Sequence, residues 1–314
     1  MKNKLFSRSN YKTPWFVCSI SIIIITQFIL INYKDHFKSI NPETFTLFSA
    51  PDTIDIYDGQ YWGVFTNNFI HIYWSQLLIN LAGIWFFGAF IERREGFLKL
   101  VGLIILATVI PTLGQLAITS EAGIGLSDVN YTLFGYILMK SNYSNEFKLK
   151  GRYFFLMFMV GLLAYLNYYN LTIEDVYKTE SMTIGLFLGL LTGYLNKFSP
   201  YIKYSVIYSL FLISISTMFY APWSSEWQVY KGINEHLSKK PNKAIYYYKK
   251  ALRLDKNNEQ AKENLDLLTV DKLKSKAYKY HMLKKYKTAK KIYLQILEIY
   301  PSDEWTIENM KELP

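Results

Sequence analysis

The sequence contains few of the residues that build disulfides and metal sites. Its 314 residues include one cysteine, Cys18, so an internal disulfide and a cysteine-based metal centre are excluded. The four histidines are far from any metal-ligand spacing; they are His36, His71, His236 and His281. Patterns typical of zinc fingers, homeodomains and RNA-recognition domains are missing as well. We therefore expect no metal, no cofactor and no nucleic-acid partner.

Composition divides the chain into two regions. Residues 1–222 carry long apolar runs, whereas residues 223–314 contain nineteen Lys and Arg against twelve Asp and Glu. We predict a membrane domain over residues 1–222 and a small soluble helical domain over residues 223–314. A basic domain beside a bilayer is attracted to anionic headgroups, so anionic lipid is a candidate partner.

Seven apolar runs approach the about 20 residues that a membrane-spanning helix needs. They are roughly Trp15–Ile31, Ile72–Ile91, Leu98–Ile118, Leu126–Met139, Tyr153–Leu171, Ser181–Leu195 and Tyr204–Pro222. The fourth and sixth runs are short and carry polar residues, as functional helices of a membrane bundle often do. The sequence thus predicts an all-α, polytopic membrane bundle followed by a small α-helical domain.

Loop charges predict the orientation of this bundle. The N-terminus, the Arg93–Arg94 pair and the loop Lys140–Arg152 are basic, whereas the loops Thr119–Gly125 and Thr172–Glu180 are poor in Lys and Arg. Basic loops stay cytoplasmic, and no cleavage site follows the first apolar run. We predict a multi-pass plasma (inner) membrane protein with a cytoplasmic N-terminus and an exoplasmic C-terminal domain. The C-terminal prediction reverses if the seventh run does not cross.

Several polar residues fall inside the predicted spans, where they are costly unless they have a role. Gln76 and Asn80 lie four residues apart and so share a helix face. Ser127 and Asp128 open the fourth span. In the sixth span, Gly185 and Gly189 have the G-x-x-x-G spacing that permits close helix approach.

Through these residues, the region of about residues 10–222 resembles the rhomboid family of intramembrane serine proteases. The family's H-x4-H-x3-N span corresponds to His71, Gln76 and Asn80, and its E-[RK]-x-x-G end to Glu92 through Gly96. Its G-x-S-G-x-x-Y-x-x-x-G motif is matched in register by a set of four residues: Gly125, Ser127, Tyr131 and Gly135.

The chain departs from the family pattern at four positions. The first is Gln76, which stands at the second histidine of H-x4-H-x3-N. Gly63 follows Trp62 where the family has W-R, and Asp128 replaces the glycine after the serine. In the family's H-x-x-G-x-x-x-G span, Gly185 and Gly189 fit but the histidine position is Met182.

The resemblance implies a rhomboid-like bundle of six spans plus one, with Ser127 at the nucleophile position. It also makes Gln76 and Asn80 candidate oxyanion donors. A serine needs a positioned base, and methionine cannot take its proton, so we predict impaired catalysis. Two other bases stay open, Lys178 four residues before Met182 and Asp128 itself. The plainer interpretations are a packing role for Ser127 and the glycines, a cross-helix bond for Asn80 and a structural role for His71.

The C-terminal domain contains two similar stretches that resemble tetratricopeptide repeats. The matching small and aromatic positions are Gly232, Ala244, Tyr248 and Ala251 in the first and Tyr286, Ala289, Tyr293 and Pro301 in the second. The second stretch is displaced by about three helical turns more than a standard repeat, which predicts one long helix over Glu259–Met282. A generic helical hairpin is the alternative.

The leading hypothesis is a catalytically impaired rhomboid relative, a pseudoprotease. It would bind transmembrane segments of membrane proteins, and its repeats would dock a protein partner. The alternatives are an active intramembrane serine endopeptidase that uses Ser127 with a non-histidine base, and a scaffold whose repeats carry the function.

Overall fold

The computed structural model describes residues 13–34, 47–48, 50–118, 123–147 and 179–314. Within these ranges the chain is helical and contains no strand. It divides into two compact units, Met1–Ala221 and Pro222–Pro314, called here the membrane unit and the tail. The predicted span Tyr153–Leu171 and Lys178 lie outside the described residues.

The membrane unit contains eight described α-helices. They are α1 Trp15–Lys34, α2 Thr53–Tyr57, α3 Gly63–Thr66, α4 Trp74–Glu95, α5 Phe97–Ile118, α6 Ser127–Ser141, α7 Thr179–Leu195 and α8 Pro200–Phe219. Short 3₁₀ turns follow at Asn67–Phe69 and Asn145–Phe147. Helices α1, α4, α5 and α8 are long and apolar enough to cross a membrane, and α6 and α7 are shorter. The prediction of an all-α membrane bundle is confirmed.

The helices alternate in direction between two ends of the unit. We call the end that holds Ser127 the serine end. Helices α4, α6 and α7 begin there, and Ser181 of α7 bonds Asp128 of α6. Helix α8 returns to the serine end, where Thr217 Oγ1 donates to the Leu113 carbonyl at 3.5 Å and the rings of Tyr61 and Phe219 meet.

Glycines let α6 and α7 approach until their backbones touch. A Cβ on Gly189 would lie 2.0 Å from the Thr132 carbonyl oxygen, and a Cβ on Gly185 would lie 2.7 Å from the Asp128 carbonyl oxygen. From the other side, a Cβ on Gly135 would lie 2.5 Å from the Leu186 carbonyl oxygen. The expected packing role of Gly185 and Gly189 is therefore confirmed.

Helix α4 contains a π-helical turn, Ile84–Gly88, that the apolar pattern did not predict. Beyond this turn, the carboxylate of Glu92 accepts the backbone N–H groups of Phe16 and Val17 at 2.9 and 3.0 Å. These N–H groups open α1 and have no partner within the helix. The Glu92 side chain thereby fixes the start of α1 against the end of α4.

The tail consists of five helices, α9 Ser225–Leu237, α10 Pro241–Leu254, α11 Glu259–Met282, α12 Tyr286–Ile299 and α13 Glu304–Lys311. The predicted long helix Glu259–Met282 is confirmed at both ends. Ala244 and Ala289 are fully buried, and a Cβ on Gly232 would lie 2.4 Å from the Tyr248 ring. The small and aromatic residues thus meet inside the tail, as they do in helical hairpins generally.

Candidate active site

Ser127 is the first residue of α6 and follows a glycine turn. Gly125 has φ +94°, a left-handed conformation that disfavours other residues. Its N–H donates to the Asn67 carbonyl at 3.1 Å. This bond ties the turn before Ser127 to the loop between α3 and α4 and so fixes where the helix begins.

Two side-chain amides of α4 lie beside this turn. A Cβ on Gly125 would lie 2.7 Å from Gln76 Nε2 and 3.3 Å from Asn80 Nδ2. Gln76 Nε2 donates to the Ile124 carbonyl at 3.2 Å, and Gln76 Oε1 accepts the Ile72 N–H at 3.1 Å. An amide nitrogen carries two hydrogens, so Gln76 Nε2 has a second N–H besides the one that bonds Ile124.

Asn80 is held in a buried network that includes His71. Asn80 Nδ2 lies 3.1 Å from His71 Nε2, and His71 Nδ1 lies 3.1 Å from the Phe69 carbonyl. A carbonyl oxygen only accepts, so Nδ1 carries the proton and Nε2 accepts from Asn80. Burial lowers the pKa of His71 to about 4, which keeps its ring neutral near neutral pH.

Asn130 of α6 completes this network and was not assigned a role from the sequence. Its Nδ2 donates to both the side-chain and the backbone oxygen of Asn80 at 3.1 Å. A Cβ on Gly83 would lie 2.5 Å from the Asn130 side chain, so the bond needs a glycine on α4. The sequence signal for Asn130 was its polar side chain within an apolar span.

The Asp128 carboxylate finds a partner at the junction of α6 and α7. Ser181 Oγ donates to Asp128 Oδ1 at 2.8 Å, and Ser127 precedes Asp128 directly in the first turn of α6. Both Asp128 and Ser181 are buried. Ser181 is the second residue that sequence reasoning missed, because only the fold brings it next to Asp128.

Met182 lies on α7 between Ser181 and Gly185, both of which contact α6. Residues three apart are neighbours on a helix surface, so Met182 and Gly185 share the side of α7 that faces α6. The residue at the family's histidine position is therefore at the helix junction next to Asp128. Its half-buried side chain supplies a thioether there.

Gly63 packs where an arginine could not be accommodated. A Cβ at this position would lie 2.4 Å from Pro51 Cγ and 2.9 Å from Ile56 Cγ1. The preceding Trp62 is 52% exposed. The loop before α4 thus packs directly against Pro51 and α2. The arginine side chain of the family pattern is absent at this contact.

No group of three or more His, Cys, Asp or Glu that could bind a metal occurs among the described residues. The groups that the site brings together are a serine hydroxyl, three side-chain amides, a neutral imidazole and a carboxyl group.

Residues 58–199, a little under half of the chain, match the family model described as "Rhomboid domain". The rhomboid protease GlpG of Haemophilus influenzae is 26% identical over 142 residues, which cover 45% of this chain and 74% of that protein. GlpG of Yersinia pseudotuberculosis is 28% identical over 132 residues, 41% of this chain and 48% of that relative. The same figures hold for GlpG of Yersinia pestis. The chain thus spans about half the length of the Yersinia relatives.

These matches support the rhomboid family for the membrane unit and a membrane-embedded location for the protein. They agree with the resemblance read from the motifs around Asn80, Ser127 and Gly185.

Proposed function

We propose that this protein is a catalytically impaired member of the rhomboid family that binds transmembrane segments without cleaving them at a rhomboid-like rate. One observation carries the proposal. Ser127 keeps its fixed position beside two amide donors, whereas Met182 occupies the position of the base. Loss of one member of a serine-hydrolase dyad costs about 10⁴ to 10⁶ in rate, and amide donors do not restore proton transfer.

The binding part of the proposal rests on what the site retains. The amides of Gln76 and Asn80 lie beside the same glycine turn as Ser127, so a bound backbone carbonyl would find donors there. Trp62 and other exposed apolar side chains of the loop before α4 offer a lipid-facing entry; they include Tyr61 and Phe65. A site with donors but no base is suited to holding a segment rather than to cutting it.

For the tail we propose a pair of tetratricopeptide-like repeats that dock a protein partner. The pairing of Gly232 with Tyr248 and the burial of Ala244 and Ala289 support this reading. Two repeats are fewer than the three that usually make a stable array, which favours a partner for the tail.

One observation favours the alternative of an active endopeptidase. The buried Asp128 carboxyl group directly follows Ser127 in the first turn of α6, and a carboxylate base would have to lie close to the hydroxyl. Against this, Asp128 is buried and its side chain is held in place at the junction of α6 and α7. Ser181 also occupies one oxygen of Asp128.

A covalent serine probe tests the proposal. We expect a fluorophosphonate to label the wild type no more than Ser127→Ala. The variant Met182→His with Asp128→Gly restores the family residues and should give weak labelling that Ser127→Ala removes. Met139→His adds a histidine at the opposite end of α6. It is the matched control for the effect of an added histidine on these helices.

Two outcomes would contradict an impaired site. Labelling of the wild type that Asp128→Asn abolishes would establish Asp128 as the base. Labelling that Lys178→Ala abolishes would instead establish a serine–lysine pair. Either result would assign the protein to the active endopeptidases.

A further inference from the structure

At the end of the membrane unit opposite Ser127, lysines from three helices come together. Lys99 lies in the first turn of α5, Lys140 in the last turn of α6 and Lys203 in the first turn of α8. Glu95, the last residue of α4, lies among them. We call these four residues the lysine cluster. The loop charges predict that this end faces the cytoplasm, where anionic lipids are enriched.

The only carboxylate of the lysine cluster already has a partner on each oxygen. Lys140 Nζ forms an ion pair with Glu95 Oε1, and the Tyr136 hydroxyl donates to Glu95 Oε2 at 2.6 Å. The side chains of Lys140 and Glu95 are 15% and 16% exposed. Glu95 therefore neutralises one lysine, and its second oxygen is occupied by a neutral donor.

The other two lysines have no carboxylate of their own within the cluster. Lys203 Nζ donates to the neutral Asn196 Oδ1 at 2.6 Å, and Lys99 Nζ lies 5.2 Å above the Tyr136 ring. Lys99 interacts electrostatically with Lys203, Lys140 and Glu95, so Glu95 is the carboxylate that all three lysines share within the cluster. Three ammonium groups thus surround one carboxylate, and the excess is two positive charges.

These two excess positive charges lie on half-buried side chains from separate helices. An anion that bridges the ammonium groups would stabilise this arrangement. Lysine is a common ligand of phosphate, and the cluster lies at the level where helices leave the apolar core. Exposed tyrosines surround it on α8, Tyr201 and Tyr204, as aromatic residues do at the level of lipid headgroups.

We propose that the lysine cluster is a binding site for a phosphate group, held by Lys99 and Lys203 with Lys140 beside them. An anionic phospholipid headgroup and inorganic phosphate share this chemistry. Its position at the headgroup level favours the phospholipid.

The test uses the full-length protein in detergent micelles and native mass spectrometry. Phosphatidylglycerol, phosphatidylcholine and inorganic phosphate are titrated separately. Each ammonium near a surface contributes about fivefold to the affinity for an anionic lipid. Since two ammonium groups are removed, we expect Lys99→Gln with Lys203→Gln to weaken phosphatidylglycerol binding about 30-fold.

Two further variants separate the site from general charge and from misfolding. Lys34→Gln with Lys197→Gln removes the same number of charges outside the cluster and should leave the affinity unchanged. Glu95→Gln removes the anion and releases Lys140, so it should bind phosphatidylglycerol about fivefold more tightly. A merely damaged protein would not gain affinity.

The three separate titrations also identify the source of the phosphate group. Phosphatidylglycerol binding that depends on the cluster, without any effect of inorganic phosphate, supports a lipid headgroup. Binding of inorganic phosphate with the same dependence supports the site with a soluble ligand. Equal binding of phosphatidylcholine, unchanged binding by the Lys99–Lys203 variant, or an equal loss in the control pair would each overturn the proposal.

Discussion

The contact between α6 and α7 can be tested with a single methyl group. In Gly189→Ala, the new Cβ would lie 2.0 Å from the Thr132 carbonyl oxygen and 2.8 Å from both the Thr132 carbonyl carbon and the Tyr136 nitrogen. Ordinary contact begins at about 3.4 Å, so the helices must separate by more than 1 Å. All three neighbouring atoms belong to the backbone, so no side-chain rotation relieves the clash.

The magnitude follows from two opposing effects. Overpacking costs about 1–3 kcal/mol, and a clash with backbone belongs at the upper end of this range. Replacing a helical glycine by alanine returns about 1 kcal/mol through helix propensity. We therefore expect Gly189→Ala to lower the free energy of unfolding by about 2 kcal/mol, measured by thermal unfolding of the full-length protein in detergent.

Gly102→Ala is the matched control, because Gly102 is also helical and a Cβ there meets nothing within 4 Å. It should be neutral or slightly stabilising, since only the propensity gain applies. Equal stability of the two variants, or a more stable Gly189→Ala, would refute the close approach of α6 and α7. The separation of these helices should also weaken the bond between Ser181 and Asp128.

Three further predictions concern topology and the tail. A reporter fused after Pro314 should show alkaline phosphatase activity if α8 crosses the membrane; fluorescence of a cytoplasm-only reporter would show that it does not. Ala244→Leu and Ala289→Leu should each lower the melting temperature of the tail because both sites are fully buried, at about 1–3 kcal/mol, whereas the exposed Thr288→Leu should not. Burial raises the pKa of Asp303, but hydrogen bonds from Lys274 and Thr306 outweigh it and the pKa is lowered. The ionised carboxylate should therefore stabilise the tail above about pH 4, and this contribution should be lost as the pH falls further. An identical pH dependence of the unfolding of Asp303→Asn would contradict this.

Much of the fold could be predicted from apolar runs and helix breakers. The run from Glu259 to Met282 contains no glycine or proline, so one long helix was the simplest outcome, and the structure has it. The π-helical turn Ile84–Gly88 could not be predicted. Its residues continue the apolar pattern of α4, and the extra residue per turn depends on contacts with neighbouring helices rather than on local sequence.

The candidate site was predictable where a motif fixes spacing along one helix. Gln76 and Asn80 share a face because they are four residues apart, and both lie beside Gly125 in the structure. Contacts between helices carry no such spacing. Asn130 bonds Asn80 across 50 residues and Ser181 bonds Asp128 across 53, so these partners became visible only once the helices were packed.

The bond between Ser181 and Asp128 changes what a restored base would do. A histidine placed at position 182 would stand on the same side of α7 as Gly185, next to the buried Asp128 carboxylate. Asp128 accepts the Ser181 hydroxyl across this junction, so in Met182→His alone the buried Asp128 side chain occupies space that the imidazole needs to reach Ser127. Replacing Asp128 by glycine removes that side chain and opens the space. The two departures from the family pattern at positions 128 and 182 are therefore coupled, and the double variant should label more strongly than the sum of the two single variants.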